Sequence, residues 1–343
     1  MLSQSKSGYF KSISGNIECK FFCLSERRCK RGPRPYRILI MAWFLFIDSM
    51  PSWDRTIKDG GIGMNNHLVL QTDFGTSDGA VSAMYGVALS VHPTLPIFDL
   101  THDISPFNIW EGSYRLFQTI KYWPEGTVFV SVVDPGVGSD RLSIVVQTET
   151  NQFLVTPDNG TITHIKRAFG IKEARMIDES KNRLPFSGES YTFHGRDVYA
   201  YTGARLASRV ITYEEVGSTV PVESLVELPV FEVKVDNDAI IGNIDILDVR
   251  FGNLWTNIDR SLFNQLGNRY GDIFEVIIDR EGSIVYKSTM KYGRSFADSE
   301  LGDPLLYINS LDKIGVALNQ ESFAEKFSIG TGAEWIIKIR KTN

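Results

Sequence analysis

The sequence predicts an α/β fold: a mostly parallel sheet covered by helices, followed by a C-terminal small β-barrel domain. Two observations predict it. Between residues 67 and 169, short runs of β-forming residues alternate with stretches of helical apolar period, and this succession is typical of parallel sheets with crossover helices. From about residue 234 onward the helical pattern nearly disappears, and short strands are separated by turn residues, as in small barrels.

The N-terminal half begins its ordered pattern with an apolar strand at 67–75, which ends in Asp73 and Gly75. A helix is predicted at 79–92, where small and apolar residues recur at helical spacing. The remaining predicted elements are a strand at 96–100, a helix at 110–123, strands at 127–133 and 142–148, a strand with a terminal turn at 152–160, and a helix at 161–169.

The C-terminal half changes in character after residue 207. The segment 224–235 is extended and contains a proline, which indicates a linker that runs into a strand. The strands predicted beyond it are 239–248, 273–279, 283–288, 315–319 and 335–340, with one helical stretch at 260–266.

These patterns divide the chain into an N-terminal extension at 1–63, an α/β catalytic domain at 64–225, a linker at 226–233 and a β-barrel domain at 234–343. Met64 directly precedes the first ordered pattern, so we expect the extension to be disordered or spurious. Its apolar run at 38–47 is shorter than the roughly 20 residues that span a bilayer. No A-x-A cleavage site follows, so we predict a cytoplasmic protein without membrane contact; export through a signal h-region is the alternative.

Composition argues against nucleic acid as a partner and against a metal site. The chain is 43% hydrophobic and 22% charged, as in ordinary globular proteins. Residues 1–63 hold 11 basic and 5 acidic side chains of the totals of 36 and 41, so the body is acidic. An acidic body argues against nucleic acid as a partner, because phosphate binding needs a basic face. The three cysteines all lie in the extension, at spacings that fit no zinc pattern, and no metal is expected.

The stretch S-V-V-D-P-G-V-G-S-D-R at 131–141 places an acid and a guanidinium at the two ends of a rigid loop. A β-forming run stops at Asp134, and Pro135, Gly136 and Gly138 then force a turn that ends on Arg141. One hypothesis is a surface ion pair that pins the turn, worth at most about 1 kcal/mol. The other is a binding or catalytic site. The first hypothesis holds if Arg141 points into solvent.

Three aspartates favour the site. Asp73, Asp134 and Asp158 each follow a predicted strand, and α/β sheets bind ligands beyond the carboxyl ends of their strands. A carboxylate at Asp73, just before a glycine turn, can hold a vicinal diol through two charge-assisted hydrogen bonds. Asp78, five residues on, is interpreted instead as the start of the following helix.

The stretch T-F-H-G-R-D at 192–197 supplies a histidine to this set. A lone histidine is more often structural than catalytic. Together with Asp134 and Arg141, however, His194 can orient and partly deprotonate a water molecule: the arginine lowers the pKa of the water, and the histidine or the aspartate takes the proton. His102 and Asp103, by contrast, are interpreted as loop scaffolding.

Five motifs in order, T-D-F-G-T-S-D, V-D-P-G-V-G-S-D-R, P-D-N-G, T-F-H-G-R-D and F-G-N-L-W-T-N-I-D, together resemble the S-adenosyl-L-methionine (SAM) hydroxide adenosyltransferase family. These are SAM hydrolases related to the fluorinase and the chlorinase. The resemblance covers Met64 to the C-terminus. It implies a homotrimer with SAM at the subunit interfaces, and SN2 attack of water or hydroxide at C5′ of the ribose to give adenosine and L-methionine. No cofactor is implied, because SAM is the substrate.

The resemblance assigns the catalytic set. By position, Asp134, Arg141 and His194 match the family's water-activating triad. In the halogenases the first of these positions is aromatic, and a serine that helps to hold halide stands where this chain has Gly195. The chain therefore has the hydrolase set and lacks the halide set. A SAM-dependent halogenase and a SAM- or adenosine-binding regulator without turnover remain as alternatives.

The resemblance also assigns five substrate contacts. Asp73 matches the residue that holds the ribose hydroxyls, and Phe107 stands where an aromatic packs near the ribose. Asp248 and Asn253 match residues that hold the methionine amine and the adenine. Ser310 matches a contact to the amino-acid end.

The implied chemistry is consistent with these residue types. A sulfonium is already a good leaving group, so the protein has mainly to align water with the C5′–S bond, and neither a general acid nor a metal is required. One contact stays open. The halogenases have an arginine where this chain has Leu311, which leaves the partner of the methionine carboxylate undetermined.

Overall fold

A computed structural model describes residues 66–188, 191–236 and 238–342. The predicted extension at 1–63 lies outside the described residues. Within them the predicted fold class is confirmed: an N-terminal sheet of mostly parallel strands with helices is followed by a closed seven-stranded β-barrel. No helix in these three ranges is long and apolar enough to cross a bilayer. The domain boundaries and the cytoplasmic location stay predictions.

The N-terminal sheet has seven strands in the order β2-β1-β3-β5-β4-β6-β7. Strands β2, β1, β3 and β5 are parallel, whereas β4 and β7 run against their neighbours. The central strands β1 and β3 are buried on both faces, which explains their continuous apolar pattern. The strands are β1 Leu68–Thr72, β2 Ile97–Thr101, β3 Val128–Val132, β4 Ser143–Thr148, β5 Phe153–Pro157, β6 Ile171–Met176 and β7 Thr219–Val220.

Helices pack on both faces of this sheet, because successive side chains of a strand point to opposite sides. Leu68 and Leu70 of β1 contribute to one apolar cluster, and Val69 between them contributes to the other. The helices are α1 Ala80–Val91, α2 Ile109–Ile120, α3 Thr163–Phe169, α4 Glu179–Asn182 and α5 Tyr201–Ala207, the last preceded by a π-helical turn, Gly195–Ala200.

The barrel closes because β10 pairs with β9 as well as with β14, while β8 is added outside the ring on β9. Its interior is one apolar cluster that contains Phe263, Phe274 and Phe323. The strands are β8 Lys234–Asp236, β9 Ala239–Leu247, β10 Leu254–Asp259, β11 Ile273–Arg280, β12 Ser283–Tyr292, β13 Pro304–Ile308, β14 Lys313–Leu318 and β15 Gly332–Lys341; the helices are α6 Arg260–Phe263 and α7 Phe323–Phe327.

Four strands, namely β6, β7, β10 and β13, and three helices, namely α4, α5 and α7, were not expected from the sequence. Strand β10 buries Thr256 among its inward residues, so the alternation of apolar and polar residues is weak. Strand β13 begins at Pro304, a residue that usually counts against a strand, but proline is tolerated at the first strand position.

The predicted linker, 226–233, contains no helix or strand but is held on both sides. Val226 N–H donates to Asp158 Oδ1 at 3.0 Å, and the Asn257 side chain donates to Phe231 O at 2.8 Å. Asp158 does follow β5, as expected, and burial raises the pKa of its carboxyl. Its hydrogen bond, however, serves the linker, so this third aspartate is structural.

Candidate active site

The loop between β3 and β4 is a compact turn that carries Asp134 and Arg141 at its ends. Val137 N–H donates to Asp134 O at 3.3 Å, and Ser139 Oγ donates to Gly136 O at 2.7 Å. Gly138 has a φ of +80°, and a Cβ there would lie 3.2 Å from Tyr191 O. The turn therefore requires glycine at 138, both for its backbone conformation and for its close approach to the chain before His194.

Arg141 points inward. Its Nε donates to Asp134 Oδ1 at 2.7 Å, and its Nη2 donates to Asp134 Oδ2, which makes the pair bidentate. The Arg141 and Asp134 side chains are only 10% and 5% exposed. The hypothesis of a surface ion pair is therefore wrong. Breaking a buried pair of this kind by removing one partner typically costs about 3–5 kcal/mol.

His194 lies directly before the π-helical turn and is buried beside the pair. Its Nδ1 is 3.4 Å from Arg141 Nη2. Since a guanidinium can only donate, Nδ1 accepts and the neutral ring carries its proton on Nε2. Nε2 is buried and has no partner in the described ranges. Burial lowers the pKa of His194, with a smaller contribution from Arg141, so the ring is neutral at neutral pH.

Two further residues hold the guanidinium in place. Arg141 Nη1 donates to Ser143 Oγ at 3.3 Å, and Ser143 Oγ lies 3.1 Å from Tyr199 OH. The Arg141 Cζ is 5.7 Å from the centre of the Tyr199 ring. Tyr199 is fully buried, and burial raises the pKa of its phenol. Neither residue was predicted, because no local pattern separates them from ordinary strand and helix positions.

Asp73 is fixed by a backbone donor from another loop. Phe107 N–H donates to Asp73 Oδ2 at 2.8 Å. Phe107 has a φ of +67° and is 71% exposed. Such a backbone is strained for an aromatic residue, and strain of this kind concentrates at functional sites. Here it directs the Phe107 N–H to the carboxylate and its ring into solvent.

These residues share one cavity of about 260 Å³, whose lining includes Asp73, Phe107, Asp134 and His194. Arg141 is connected to it through its contacts with Asp134 and His194. The cavity therefore places two carboxylates and a neutral imidazole around one small space, which suits a polar ligand held next to a water molecule.

The barrel residues predicted for substrate binding line a second, larger cavity of about 1180 Å³. Asp248 and Asn253 lie at the ends of one tight turn, in which Gly252 N–H donates to Asp248 O at 2.7 Å. Gly252 has a φ of +65°, and a Cβ there would overlap Ser322 Oγ. Ser310, in the turn before β14, lines the same cavity.

Aromatic and basic side chains that were not predicted also line the larger cavity. Phe251 is 66% exposed and Phe296 is 39% exposed, although both are large apolar rings. Arg250 and Arg294 are the basic residues of the lining. Phe251 belongs to the motif F-G-N-L-W-T-N-I-D, so the sequence could have pointed to it as a site residue. No sequence pattern pointed to Phe296, Arg250 or Arg294.

The structure thus separates the eight predicted residues into two groups. Five of them gather around the smaller cavity of the α/β domain, and three line the larger cavity beside the barrel. Leu311 lines neither of these two cavities; with Ser310 it lines a third one.

Comparison with known proteins gives two family matches. Residues 68–217 match the family described as SAM hydroxide adenosyltransferase N-terminal domain. Residues 242–336 match the family described as SAM hydroxide adenosyltransferase C-terminal domain. Together the two matches cover well over half of the chain.

Individual relatives agree with these matches. A protein of Methanocaldococcus jannaschii named (R)-S-adenosyl-L-methionine hydrolase is 36% identical over 248 residues, which are 71% of this chain and 84% of the relative. A fluorinase of Actinopolyspora mzabensis is 27% identical over 77% of this chain and 94% of its own. A crystal structure of an uncharacterized conserved protein from Thermotoga maritima matches with a TM-score of 0.72 and 31% identity, covering 80% of this chain and 99% of that one.

Proposed function

Because the chain belongs to the SAM hydroxide adenosyltransferase family, we propose that it hydrolyses S-adenosyl-L-methionine at C5′ of the ribose to give adenosine and L-methionine. The observation that carries the proposal is the buried set of Asp134, Arg141 and His194 beside Asp73. Relatives that are 31–36% identical carry the name (R)-S-adenosyl-L-methionine hydrolase.

In the proposed reaction, the oxygen of a water molecule forms a bond to C5′ while the C5′–S bond breaks and its electron pair stays on sulfur. Methionine leaves as a neutral thioether, so its departure needs no proton. His194 Nε2–H donates to the attacking oxygen and orients it. The proton of the attacking water passes to Asp134, whose oxygens keep lone pairs while Arg141 holds the carboxylate in place.

We propose that the sites are completed between subunits of a homotrimer. The support is the separation of the predicted residues into two cavities, each with an aromatic ring left in solvent: Phe107 at the smaller and Phe251 at the larger. If the α/β cavity of one subunit faces the barrel cavity of the next, the first can hold the ribose of SAM while the second holds its adenine and methionine ends.

The larger cavity would bind the adenine and the methionine end. Phe251 and Phe296 line the cavity with partly exposed aromatic rings, which suits a nucleobase, and Asn253 offers an amide to its polar edge. Asp248 would hold the methionine amine, and Ser310 would contact the amino-acid end. Arg250 and Arg294 are the candidates for the carboxylate contact that Leu311 cannot make.

The packing at Gly195 disfavours the halogenase alternative. A Cβ at this position would lie 3.0 Å from Phe74 Cζ, and Phe74 packs edge-on against Phe193. A side chain there would require the Phe74 ring, which also packs against the core of the domain, to shift by a few tenths of an ångström. Gly195 therefore lacks the hydroxyl that helps to hold halide in the halogenases, and its surroundings are fitted closely to glycine.

A product assay tests the proposed function. We expect the full-length protein to convert SAM into equimolar adenosine and L-methionine, as measured by liquid chromatography, and the Asp134→Asn variant to form both far more slowly. Because the hydrolase relatives are named for the (R) epimer, the two sulfur epimers should be supplied separately, and we expect the (R) epimer to be consumed. SAM binding without adenosine formation would favour the regulator, and a 5′-halo-5′-deoxyadenosine product with added halide would favour the halogenase.

Subunit mixing tests the proposed trimer. Asp134→Asn disables the α/β side of a site, and Asn253→Ala disables the barrel side, so neither variant alone should be active. When the two are co-expressed in equal amounts, random assembly should restore about a quarter of the wild-type activity. Each site takes its α/β side from one subunit and its barrel side from another, and about half of the subunits carry each side intact. Asp134→Asn mixed with His194→Asn is the control and should restore nothing, since both changes affect the same side. If the first mixture stays inactive, the site lies within one subunit.

A further inference from the structure

We propose that His102 is a positioning residue, which holds the end of β1 so that Asp73 faces the ribose. The proposal rests on the proposed function, because that function gives Asp73 its ligand. His102 follows β2, is buried, and lies outside the set of residues assigned to water or substrate.

The His102 ring joins two neighbouring strands. Its Nε2 lies 2.8 Å from Asp99 Oδ1 on β2, and its Nδ1 lies 2.8 Å from Thr72 Oγ1 at the end of β1. A carboxylate can only accept, so Nε2 carries the proton and Nδ1 accepts from the Thr72 hydroxyl. This fixes the direction of the Thr72 O–H bond and leaves the lone pairs of that oxygen to accept from elsewhere.

Two hydrogen bonds hold the chain after Asp73, one to the Thr72 hydroxyl that the His102 ring contacts and one to the His102 backbone. Phe74 N–H donates to Thr72 Oγ1 at 3.2 Å, and Gly75 N–H donates to the His102 carbonyl at 2.8 Å. Asp73 lies directly before these two held positions, and its own Oδ2 accepts from Phe107 N–H. The carboxylate is therefore oriented by contacts of the residues next to it.

The regular ladder between β1 and β2 breaks just before this point. Leu70 pairs with Asp99, but Gln71 pairs with Thr101, so the register shifts by one residue. Such an irregularity interrupts the regular register and re-aims the chain. The His102 side chain supplies the connection that the ladder no longer gives. Tyr85 OH, which donates to Asp99 Oδ1 at 2.7 Å, extends the connection to α1.

The test compares two threonines in equivalent places. Thr72 and Thr101 each end a strand, and each accepts a backbone N–H from two residues on, at 3.2 and 3.1 Å. Of these two threonines, only Thr72 hydrogen-bonds to the His102 ring and flanks Asp73. We measure the dissociation constants of adenosine and 2′-deoxyadenosine by calorimetry on the full-length protein; their ratio reports whether Asp73 holds the ribose hydroxyls.

We expect Thr72→Val to reduce the preference for adenosine about tenfold, as loss of a charge-assisted hydrogen bond predicts, and His102→Asn to reduce it similarly. Thr72→Ser, which keeps the hydroxyl, and Thr101→Val should retain the wild-type ratio. Asp73→Asn should cause the largest loss of the preference for adenosine, because it changes the carboxylate itself. The valine and serine variants of Thr72 keep the test decisive if His102→Asn does not fold.

A purely structural role would lower the melting temperature without changing the ratio. The proposal is overturned if Thr72→Val keeps the preference for adenosine, if both valine variants lose it equally, or if Asp73→Asn retains it. The ratio needs no turnover, so failure of the wild-type protein to hydrolyse SAM would count against the proposed function and would be seen separately in the product assay.

Discussion

Replacing Asp134 by asparagine is expected to lower kcat for SAM hydrolysis by about a hundredfold or more, the usual contribution of a positioned proton acceptor. The KM for SAM should change less than about threefold, because Asp134 acts on the water and not on the substrate. Asparagine keeps the shape of the side chain and one oxygen for Arg141. The change therefore removes the charge and the proton acceptor with little loss of packing.

The same loop offers a matched control. Asp140 is exposed and precedes Arg141, so Asp140→Asn removes one negative charge from the loop without touching the triad. It should keep wild-type kcat. His194→Asn should also lower kcat, because the donor to the attacking oxygen is lost. If Asp134→Asn retains more than about a third of wild-type kcat, Asp134 is not the proton acceptor.

Replacing Asp245 by asparagine is expected to raise the free energy of unfolding at pH 8, by up to about 4 kcal/mol if the full pKa shift is realised. Asp245 lies on β9, where its backbone carbonyl accepts from Trp110 Nε1 of α2 at 2.6 Å and its Oδ1 accepts from Asn243 Nδ2 at 3.1 Å. Burial raises the pKa of its carboxyl to about 7, although Lys313 opposes the shift. The folded chain thus favours the protonated form.

The sign of the pH dependence follows from this shift. The folded pKa lies above the unfolded value, so the contribution of Asp245 to stability is present below about pH 4 and is lost as the pH rises through about 7. The asparagine variant and the wild type should therefore be almost equally stable near pH 4. The difference should grow up to about pH 7 and then stay constant.

His164, which packs against the same Trp110, changes stability with pH in the opposite direction to Asp245. Its ring centre lies 4.6 Å from that of Trp110, and burial lowers its pKa to about 4. Its contribution to stability is lost as the pH falls from about 6.5 towards 4. In the Asp245→Asn variant, the free energy of unfolding should therefore rise as the pH increases from about 4 to about 6.5, and chemical denaturation at several pH values can measure this rise.

Asp303→Asn, a change at an exposed barrel aspartate, serves as the control. Destabilisation of the Asp245 variant at pH 8 would contradict the argument.

Much of the fold and part of the site could be predicted from local patterns. The alternation of strands and helices gave the class of the N-terminal domain, and the short strands after residue 234 gave the barrel. The proline and glycines between Asp134 and Arg141 predicted a stiff turn, because these residues restrict the backbone wherever they occur. Five motifs in a fixed order pointed to the family, which the comparisons confirm.

The direction of side chains was decided by the tertiary structure. The local sequence allows Arg141 to face solvent, and only β4, Ser143 and Tyr199 turn it towards Asp134. Asp158 follows a strand just as Asp73 does, yet the linker takes up its carboxylate.

Contacts between distant segments escaped prediction for the same reason. His102 reaches Thr72 because β1 and β2 are neighbours whose register shifts at that point. The substrate residues fall into two cavities, and the larger one is lined by the barrel together with residues of the α/β domain such as Asn108. Periodicity and turn chemistry act on the backbone over a few residues, so the sequence determined the elements and the stiff loop. Partners 30 to 60 positions apart, such as those of Thr72 and Arg141, are chosen by packing, and packing exists only in the folded chain.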